Sequence, residues 1–210
     1  MLAPQFRRQL TAQLEDARRR GMVGPGPVEA HLDHAEALAT AIGADFSGRF
    51  LDLGSGAGVP GLILLGVWPQ ATGVLLDARR RRCSFLESAV RELDLVDRTS
   101  VACGRAEELA RGGGFRSAFE LVVARGFGAP ATTAECAVGF LSAGGRLVVS
   151  EPPGATDASR WPREGLEQLG LRGPEVRGSE GGRVAVLMAE APPGERWPRR
   201  VGVPGRRPLW

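Results

Sequence analysis

One segment of the chain reads Arg49-Phe50-Leu51-Asp52-Leu53-Gly54-Ser55-Gly56-Ala57-Gly58-Val59-Pro60-Gly61. Its first part is a short apolar run typical of a buried strand, and its glycines indicate a tight turn. The apolar residues 62–65 favour a helix packed on a sheet, and Pro60 suits the first turn of that helix. The segment therefore predicts a site for a nucleotide-like ligand, because a glycine backbone can approach the ligand closely and the N–H groups at the helix start point towards it.

The spacing of the glycines fits more than one class of protein. Gly56, Gly58 and Gly61 match the G-x-G-x-x-G pattern of dinucleotide-binding proteins. Gly54, Gly56 and Gly58, preceded by Asp52, match instead the D-x-G-x-G-x-G pattern of S-adenosylmethionine-dependent methyltransferases. A third interpretation is a turn that only brings a helix close to a sheet. The spacing alone leaves these alternatives open.

Length and composition indicate one globular domain. The chain has 210 residues, of which 43% are hydrophobic and 24% are charged, which are ordinary values for a globular protein. Its apolar runs are too short to span a membrane, and its first residues lack the apolar core of a signal peptide. We therefore expect a cytoplasmic protein without a membrane-spanning segment.

The cysteines, histidines and basic residues exclude several kinds of site. Cys83, Cys103 and Cys136 are odd in number and widely spaced, which predicts free thiols and neither a disulfide framework nor a zinc site. His31 and His34 lie one helical turn apart without a third ligand nearby, so we expect surface or capping histidines and no metal. All 27 basic residues are arginine, which excludes a P-loop lysine and a Schiff-base lysine. The net charge of +3 favours anionic partners only weakly.

Strands and helices alternate along the chain. Apolar periodicity predicts two N-terminal helices, over residues 3–20 and 28–42, ahead of the glycine-turn strand. Short apolar runs predict six strands, at residues 50–53 (the glycine-turn strand), 73–77, 99–102, 119–124, 146–150 and 183–188. Each of the first four is followed by a turn or a helix. This repetition predicts an α/β fold of the Rossmann-like type, with a mostly parallel sheet and helices on both faces. We expect an N-terminal helical extension over residues 1–45 and a main domain over residues 46–210.

Polar residues follow several of the predicted strands. Asp77 ends the second strand, 21 residues after Gly56, which is the distance at which a carboxylate binds a ribose. Asp77 could equally cap the helix that follows it. Ala106-Glu107 and Arg125 follow the third and fourth strands. Because ligands bind at the carboxyl ends of parallel strands, these residues are expected to line one crevice with the glycine turn.

With these motifs the chain resembles the RsmG (GidB) family of small-subunit ribosomal RNA methyltransferases. The resemblance rests on G-S-G-A-G-x-P-G in the glycine turn, on P-R-R-x-G-x-P-x-x-R-P-L in the tail, and on the shorter motifs at residues 31–34, 75–77, 104–108, 123–127 and 141–147. It implies a class I fold and transfer of a methyl group from S-adenosylmethionine to N7 of a guanine in 16S rRNA. The implied partner is 16S rRNA or the small ribosomal subunit.

The resemblance also implies roles for particular residues. Contacts to S-adenosylmethionine are implied for Gly54, Val59, Ala106, Glu107 and Arg125. The same turn adds Asp52, Ser55, Gly56 and Gly58 to the predicted cofactor site, and the ribose spacing adds Asp77. RNA contacts are expected from the arginines of the basic tail, which are Arg199, Arg200, Arg206 and Arg207. The sequence offers no obvious general base, and a guanine N7 acceptor needs none.

Two features depart from the family pattern. Ser150-Glu151 stands where the family usually has Lys-Gly after the fifth strand, and residues 21–27 replace its usual Asn-Leu-Thr segment. A carboxylate in place of a cation is expected to repel RNA phosphates. Alternatives are therefore a methyltransferase with another acceptor and a non-catalytic S-adenosylmethionine-binding protein. A nicotinamide-dependent dehydrogenase is less favoured, because the chain has little room for a separate substrate domain.

Overall fold

The computed structural model describes residues 1–24, 26–152, 158–179 and 182–210. Pro25 in the predicted helix-ending segment, and Pro153 and Gly154 after the fifth strand, lie outside these ranges. The helices are α1 (Pro4–Arg19), α2 (Val28–Ile42), α3 (Gly61–Val67), α4 (Arg80–Glu92), α5 (Ala106–Leu109), α6 (Pro130–Val138), α7 (Arg163–Gln168) and α8 (Val203–Arg206). The strands are β1 (Arg49–Leu53), β2 (Thr72–Asp77), β3 (Thr99–Cys103), β4 (Phe119–Ala124), β5 (Leu141–Ser150), β6 (Leu171–Ser179) and β7 (Gly182–Ala189).

The strands form one sheet in the order β3-β2-β1-β4-β5-β7-β6. The first five strands in this order are parallel, and β7 pairs antiparallel with both β5 and β6. Leu53, the last residue of β1, is in register with Leu76 of β2 and Ala124 of β4. The carboxyl ends of β2, β1 and β4 therefore lie side by side, and the predicted mostly parallel α/β sheet is confirmed.

Alternating side chains of the strands divide the core between the two faces of the sheet. Phe50 belongs to a cluster shared with α1, α2, α3 and α4, whereas Leu51 and Leu53 belong to a cluster shared with α5, α6, α7 and Trp197. Both clusters consist of residues that are almost completely buried. This arrangement confirms helices on both faces, and it joins α1 and α2 to the same apolar core as β1.

Strand β6 was not predicted. Its sequence contains Gly173-Pro174 and alternating charged residues, which are typical of a loop, yet it pairs along β7 with a register shift at Arg172/Glu175. The shift accommodates the proline at an edge of the sheet, where a missing N–H is tolerated. Within the described ranges, no helix combines the length and apolarity needed to cross a bilayer.

Candidate active site

The glycine turn after β1 is fixed by hydrogen bonds to the neighbouring strand. The N–H groups of Gly54 and Ser55 both donate to the carbonyl of Leu76, at 2.9 and 2.8 Å. Gly54 has a φ of +77°, and a Cβ there would come within 2.7 Å of the Phe127 ring. A side chain at Gly54 would therefore both strain the backbone and collide with an aromatic ring.

Asp52 anchors the helix that follows the turn. Its carboxylate is almost completely buried and accepts a hydrogen bond of 2.9 Å from the N–H of Gly61, the first residue of α3. Burial raises the pKa of Asp52 to about 7, although this hydrogen bond, Ser55 and the nearby Arg125 all favour the charged form. Asp52 thus joins β1 to the start of the helix that follows the turn.

Asp77 connects the end of β2 to the glycine turn and to the start of α4. Its carboxylate accepts hydrogen bonds from the N–H of Gly56 at 3.0 Å and from the N–H of Arg79 at 2.9 Å, with Arg82 at 3.3 Å. This geometry is compatible with both a ribose-binding and a helix-capping role for Asp77. The same carboxylate accepts hydrogen bonds from the glycine turn and from the backbone at the start of α4.

Ala106 and Glu107 begin α5, after the end of β3, and both are buried. One oxygen of Glu107 accepts hydrogen bonds from the N–H of Gly202 in the tail, at 2.9 Å, and from Arg105 at 3.0 Å. Burial alone would raise the pKa of Glu107, but these bonds outweigh burial and lower it. Its other oxygen is buried and has no hydrogen-bond partner among the described residues.

Arg125 follows β4 and meets His31 from α2. Its Nη2 lies 2.8 Å from Nδ1 of His31, which is 9% exposed. Burial lowers the pKa of Arg125, whereas the nearby Asp52 raises it. His34, one turn further along α2, lies 3.0 Å from Oγ of Ser150 at the end of β5. The expectation of surface or capping histidines is therefore wrong for His31, which the spacing alone could not place against a strand 94 residues away.

Glu151 is not the exposed carboxylate that its position in the sequence suggested. Its side chain is 2% exposed, pairs with Arg160, and accepts a hydrogen bond of 2.7 Å from Nε1 of Trp161. Arg160 remains 35% exposed, so a cation and not an anion faces solvent beside the end of β5. The prediction that Glu151 repels RNA phosphates is therefore corrected, because its charge is compensated by Arg160. The sequence did not indicate this pairing, since Arg160 lies nine residues further along the chain.

The four tail arginines differ in their surroundings. Arg199 donates to both carboxylate oxygens of the fully buried Glu135, at 2.8 and 2.5 Å. Its guanidinium is therefore engaged by a buried carboxylate, although the side chain is 28% exposed. Arg200, Arg206 and Arg207 are exposed, and Nε of Arg206 donates to the carbonyl of Gly202. Of the four, these three present their charge to solvent.

Two of the three cysteines are joined. Cys83 in α4 and Cys103 at the end of β3 form a disulfide with a Cα–Cα distance of 5.8 Å, while Cys136 is free and buried. The expectation of three free thiols is wrong, because the β2–α4–β3 crossover brings together two residues separated by 20 positions. Among the described residues, no group of His, Cys, Asp and Glu could hold a metal ion.

The comparisons with known proteins agree with this architecture. The model of the GidB family, described as rRNA small subunit methyltransferase G, matches residues 28–154. The chain belongs to this family. Ribosomal RNA small subunit methyltransferase G of Moorella thermoacetica is 33% identical over 77% of this chain and 69% of its own length, and that of Symbiobacterium thermophilum is 33% identical over 85% and 76%.

A solved structure supports the fold alone. Mitomycin 7-O-methyltransferase MmcR superposes with a TM-score of 0.61 at 18% identity, covering 75% of this chain and 53% of that chain. The family match includes β1 to β5 and the residues at the ends of these strands. His31 lies inside the matched range, and its contact with Arg125 is one that the sequence did not predict.

Proposed function

We propose that this chain transfers the methyl group of S-adenosylmethionine to N7 of a guanine in 16S rRNA. Membership of the GidB family supports the substrate class. The observation that carries the cofactor assignment is the hydrogen bond between the Asp77 carboxylate and the N–H of Gly56, which places a carboxylate against the glycine turn. A carboxylate at this position can accept hydrogen bonds from the hydroxyl groups of a ribose.

The residues at the strand ends fit each part of the cofactor. A Cβ at Gly54 would meet Phe127, whereas a Cβ at Gly56 would come no closer than 3.9 Å to its nearest neighbour, so the turn at Gly56 has space for the methionine moiety. The unpartnered carboxylate oxygen of Glu107 suits an amino donor such as that of adenine. Arg125, whose guanidinium meets His31, follows β4 with its backbone beside that of Gly54, since Ala124 and Leu53 are in register. This guanidinium suits the methionine carboxylate.

Methyl transfer to guanine N7 requires positioning more than proton transfer. When bound, S-adenosylmethionine supplies an electrophilic methyl group, which the N7 lone pair attacks while the carbon–sulfur bond breaks and its electron pair returns to sulfur. Gly54, Asp77 and Arg125 would fix the position of the methyl group, and exclusion of water with in-line alignment would supply most of the rate. A general base is not required, because N7 carries no proton.

The RNA is assigned to the exposed arginines near this edge of the sheet. Arg79 and Arg80 at the start of α4 are exposed, as are Arg200, Arg206 and Arg207. Arginine at such positions binds phosphate oxygens and orients a nucleic acid without reading its sequence. The target guanine has to be unpaired to reach the methyl group.

The decisive experiment uses labelled S-adenosylmethionine and small ribosomal subunits from cells that lack this gene. We expect label on N7 of one guanine of 16S rRNA, located by mapping the labelled nucleotide. Binding of S-adenosylmethionine by calorimetry, without label on any rRNA, would reject the rRNA substrate and favour another acceptor or a non-catalytic binding protein. Label on a small molecule would separate these two alternatives.

A further inference from the structure

The contact between His31 and Arg125 joins the N-terminal part of the chain to the candidate cofactor site. His31 lies in the first turn of α2, and its Nδ1 is 2.8 Å from Nη2 of Arg125. A histidine that is 9% exposed is in a defined position, and the arginine it meets is itself only partly exposed. The contact therefore restricts the direction in which the guanidinium can point.

The chemistry of the pair fixes the protonation of the imidazole. A guanidinium only donates hydrogen bonds, so Nδ1 of His31 has to accept, and the ring proton has to be on Nε2, which is buried and has no hydrogen-bond partner among the described residues. Burial and the neighbouring positive charge of Arg125 lower the pKa of His31, while the carbonyl of Gly24 raises it. The imidazole is therefore neutral at pH 7.

A neutral acceptor leaves the charge of the Arg125 guanidinium unchanged, whereas a carboxylate does not. A Glu or Asp in contact with Arg125 would form an ion pair and cancel the charge of the guanidinium. An imidazole holds the same N–H group and leaves the positive charge in place. The nearby Asp52 carboxylate is engaged by the N–H of Gly61, and burial favours its uncharged form.

We propose that His31 is a positioning residue that holds Arg125 without adding a negative charge beside it, so that the guanidinium stays available to the carboxylate of the methionine moiety of S-adenosylmethionine. The proposal rests on the proposed cofactor and adds to it a role for α2. It accounts for a buried histidine beside a partly exposed arginine, an arrangement that would otherwise weaken the fold by partly desolvating a cation next to a polar ring.

Two substitutions of His31 by side chains of nearly the same size as each other distinguish this positioning role from a purely structural one. His31→Gln supplies a neutral amide oxygen to Arg125, whereas His31→Glu supplies a charged and stronger acceptor. For S-adenosylmethionine measured by calorimetry, we expect Gln to keep the dissociation constant within about threefold and Glu to raise it by about tenfold or more. If His31 only stabilised the fold, the His31→Glu protein would bind the cofactor at least as tightly as the His31→Gln protein. Thermal unfolding of both variants checks that they fold.

A truncated ligand provides the control. Methylthioadenosine contains the adenosine and the sulfur but has no methionine carboxylate. We expect its affinity to be the same, within about twofold, in the His31→Glu and His31→Gln proteins. An equal loss for both ligands in His31→Glu, or no loss for either, would overturn the role of His31. Failure of the unaltered protein to bind S-adenosylmethionine would instead overturn the proposed cofactor, and with it this role.

Discussion

The carboxylate of Asp77 accepts a hydrogen bond from the N–H of Gly56 at 3.0 Å, which ties the end of β2 to the glycine turn after β1. The same carboxylate accepts from the N–H of Arg79, so that the turn and the start of α4 are held by one side chain. Two backbone segments that are distant in sequence are thereby oriented before any ligand is present. Such preorganisation reduces the entropy lost on binding.

Replacement of Asp77 by Asn should weaken cofactor binding. The amide keeps the size of the side chain but loses the charge that favours ribose hydroxyl groups and the N–H groups of the turn. Loss of a charge-assisted hydrogen bond corresponds to about 1.5–3 kcal/mol, so we expect the dissociation constant of S-adenosylmethionine to rise by at least about tenfold in calorimetry. Asp97→Asn, at an exposed position between α4 and β3, is the matched control. Equal affinities in the two variants would remove Asp77 from the cofactor site.

Replacement of Glu151 by Gln should destabilise the protein and should not increase its affinity for RNA. The substitution removes the buried charge that pairs with Arg160, while the amide oxygen can still accept from Trp161. We expect a loss of about 2 kcal/mol in the free energy of unfolding, measured in urea. Glu190→Gln removes an ion pair with Arg172 in which both side chains are more than half exposed, and it should change stability by less than about 0.5 kcal/mol. A gain in RNA affinity in the Glu151→Gln protein would show that Glu151 does repel RNA phosphates, as the sequence suggested.

The parts of the fold that could be predicted are those specified by local sequence. The glycine turn, the strand ending at Asp77 and the strand ending before Arg125 each combine an apolar run with turn residues or a terminal charge, and local signals of this kind determine local structure. The β–α alternation then places these strand ends at one edge, because strands joined by helical crossovers run parallel and their carboxyl ends meet at the same edge.

The features that sequence reasoning missed depend on contacts between distant residues. Glu151 pairs with Arg160 and Trp161, which follow it after a segment rich in proline and glycine. The local sequence does not indicate that these two residues contact Glu151. The approach of His31 to Arg125 depends on how α2 packs against α3 and β7. Strand β6 is formed by pairing with β7 in spite of the glycine and proline in its own sequence, so tertiary context overrides local propensity there.

The tail arginines should separate into a structural and an RNA-binding set. Arg199→Ala leaves the fully buried Glu135 without its charged partner, which should cost about 3–5 kcal/mol of unfolding free energy. Arg200→Ala, at the next and exposed position, should leave stability unchanged and lower affinity for 16S rRNA, with the salt dependence of binding reduced by about one unit. Urea denaturation and filter binding at several salt concentrations test both. An unfolded Arg200→Ala protein, or one with unchanged RNA affinity, would contradict this division.

Reduction of the Cys83–Cys103 disulfide should lower stability. The bond closes a loop of about 20 residues, and the loss of chain entropy in the unfolded state corresponds to a stabilisation of about 3 kcal/mol in the loop-closure account. Cys103 is exposed, so a thiol reductant can reach the bond without unfolding the protein. We expect a lower thermal midpoint with reductant, and the same lower midpoint with and without reductant in Cys103→Ser. Identical midpoints for the reduced and oxidised protein would show that the bond does not stabilise the fold.

Asp52 should make the stability of the protein depend on pH. Burial raises its pKa to about 7 in the folded protein, whereas an unfolded Asp titrates near 3.9. Between these values the unfolded chain releases a proton that the folded protein retains, so rising pH favours unfolding by about 1.4 kcal/mol per pH unit from this group. Asp52→Asn keeps an acceptor for the N–H of Gly61 and removes the titration. In urea denaturation without cofactor, the unfolding free energy of the unaltered protein should therefore fall relative to that of Asp52→Asn between pH 5 and pH 6.5, and the difference should level off above pH 7. A constant difference across this range would show that Asp52 is ionised throughout, held in its charged form by Arg125.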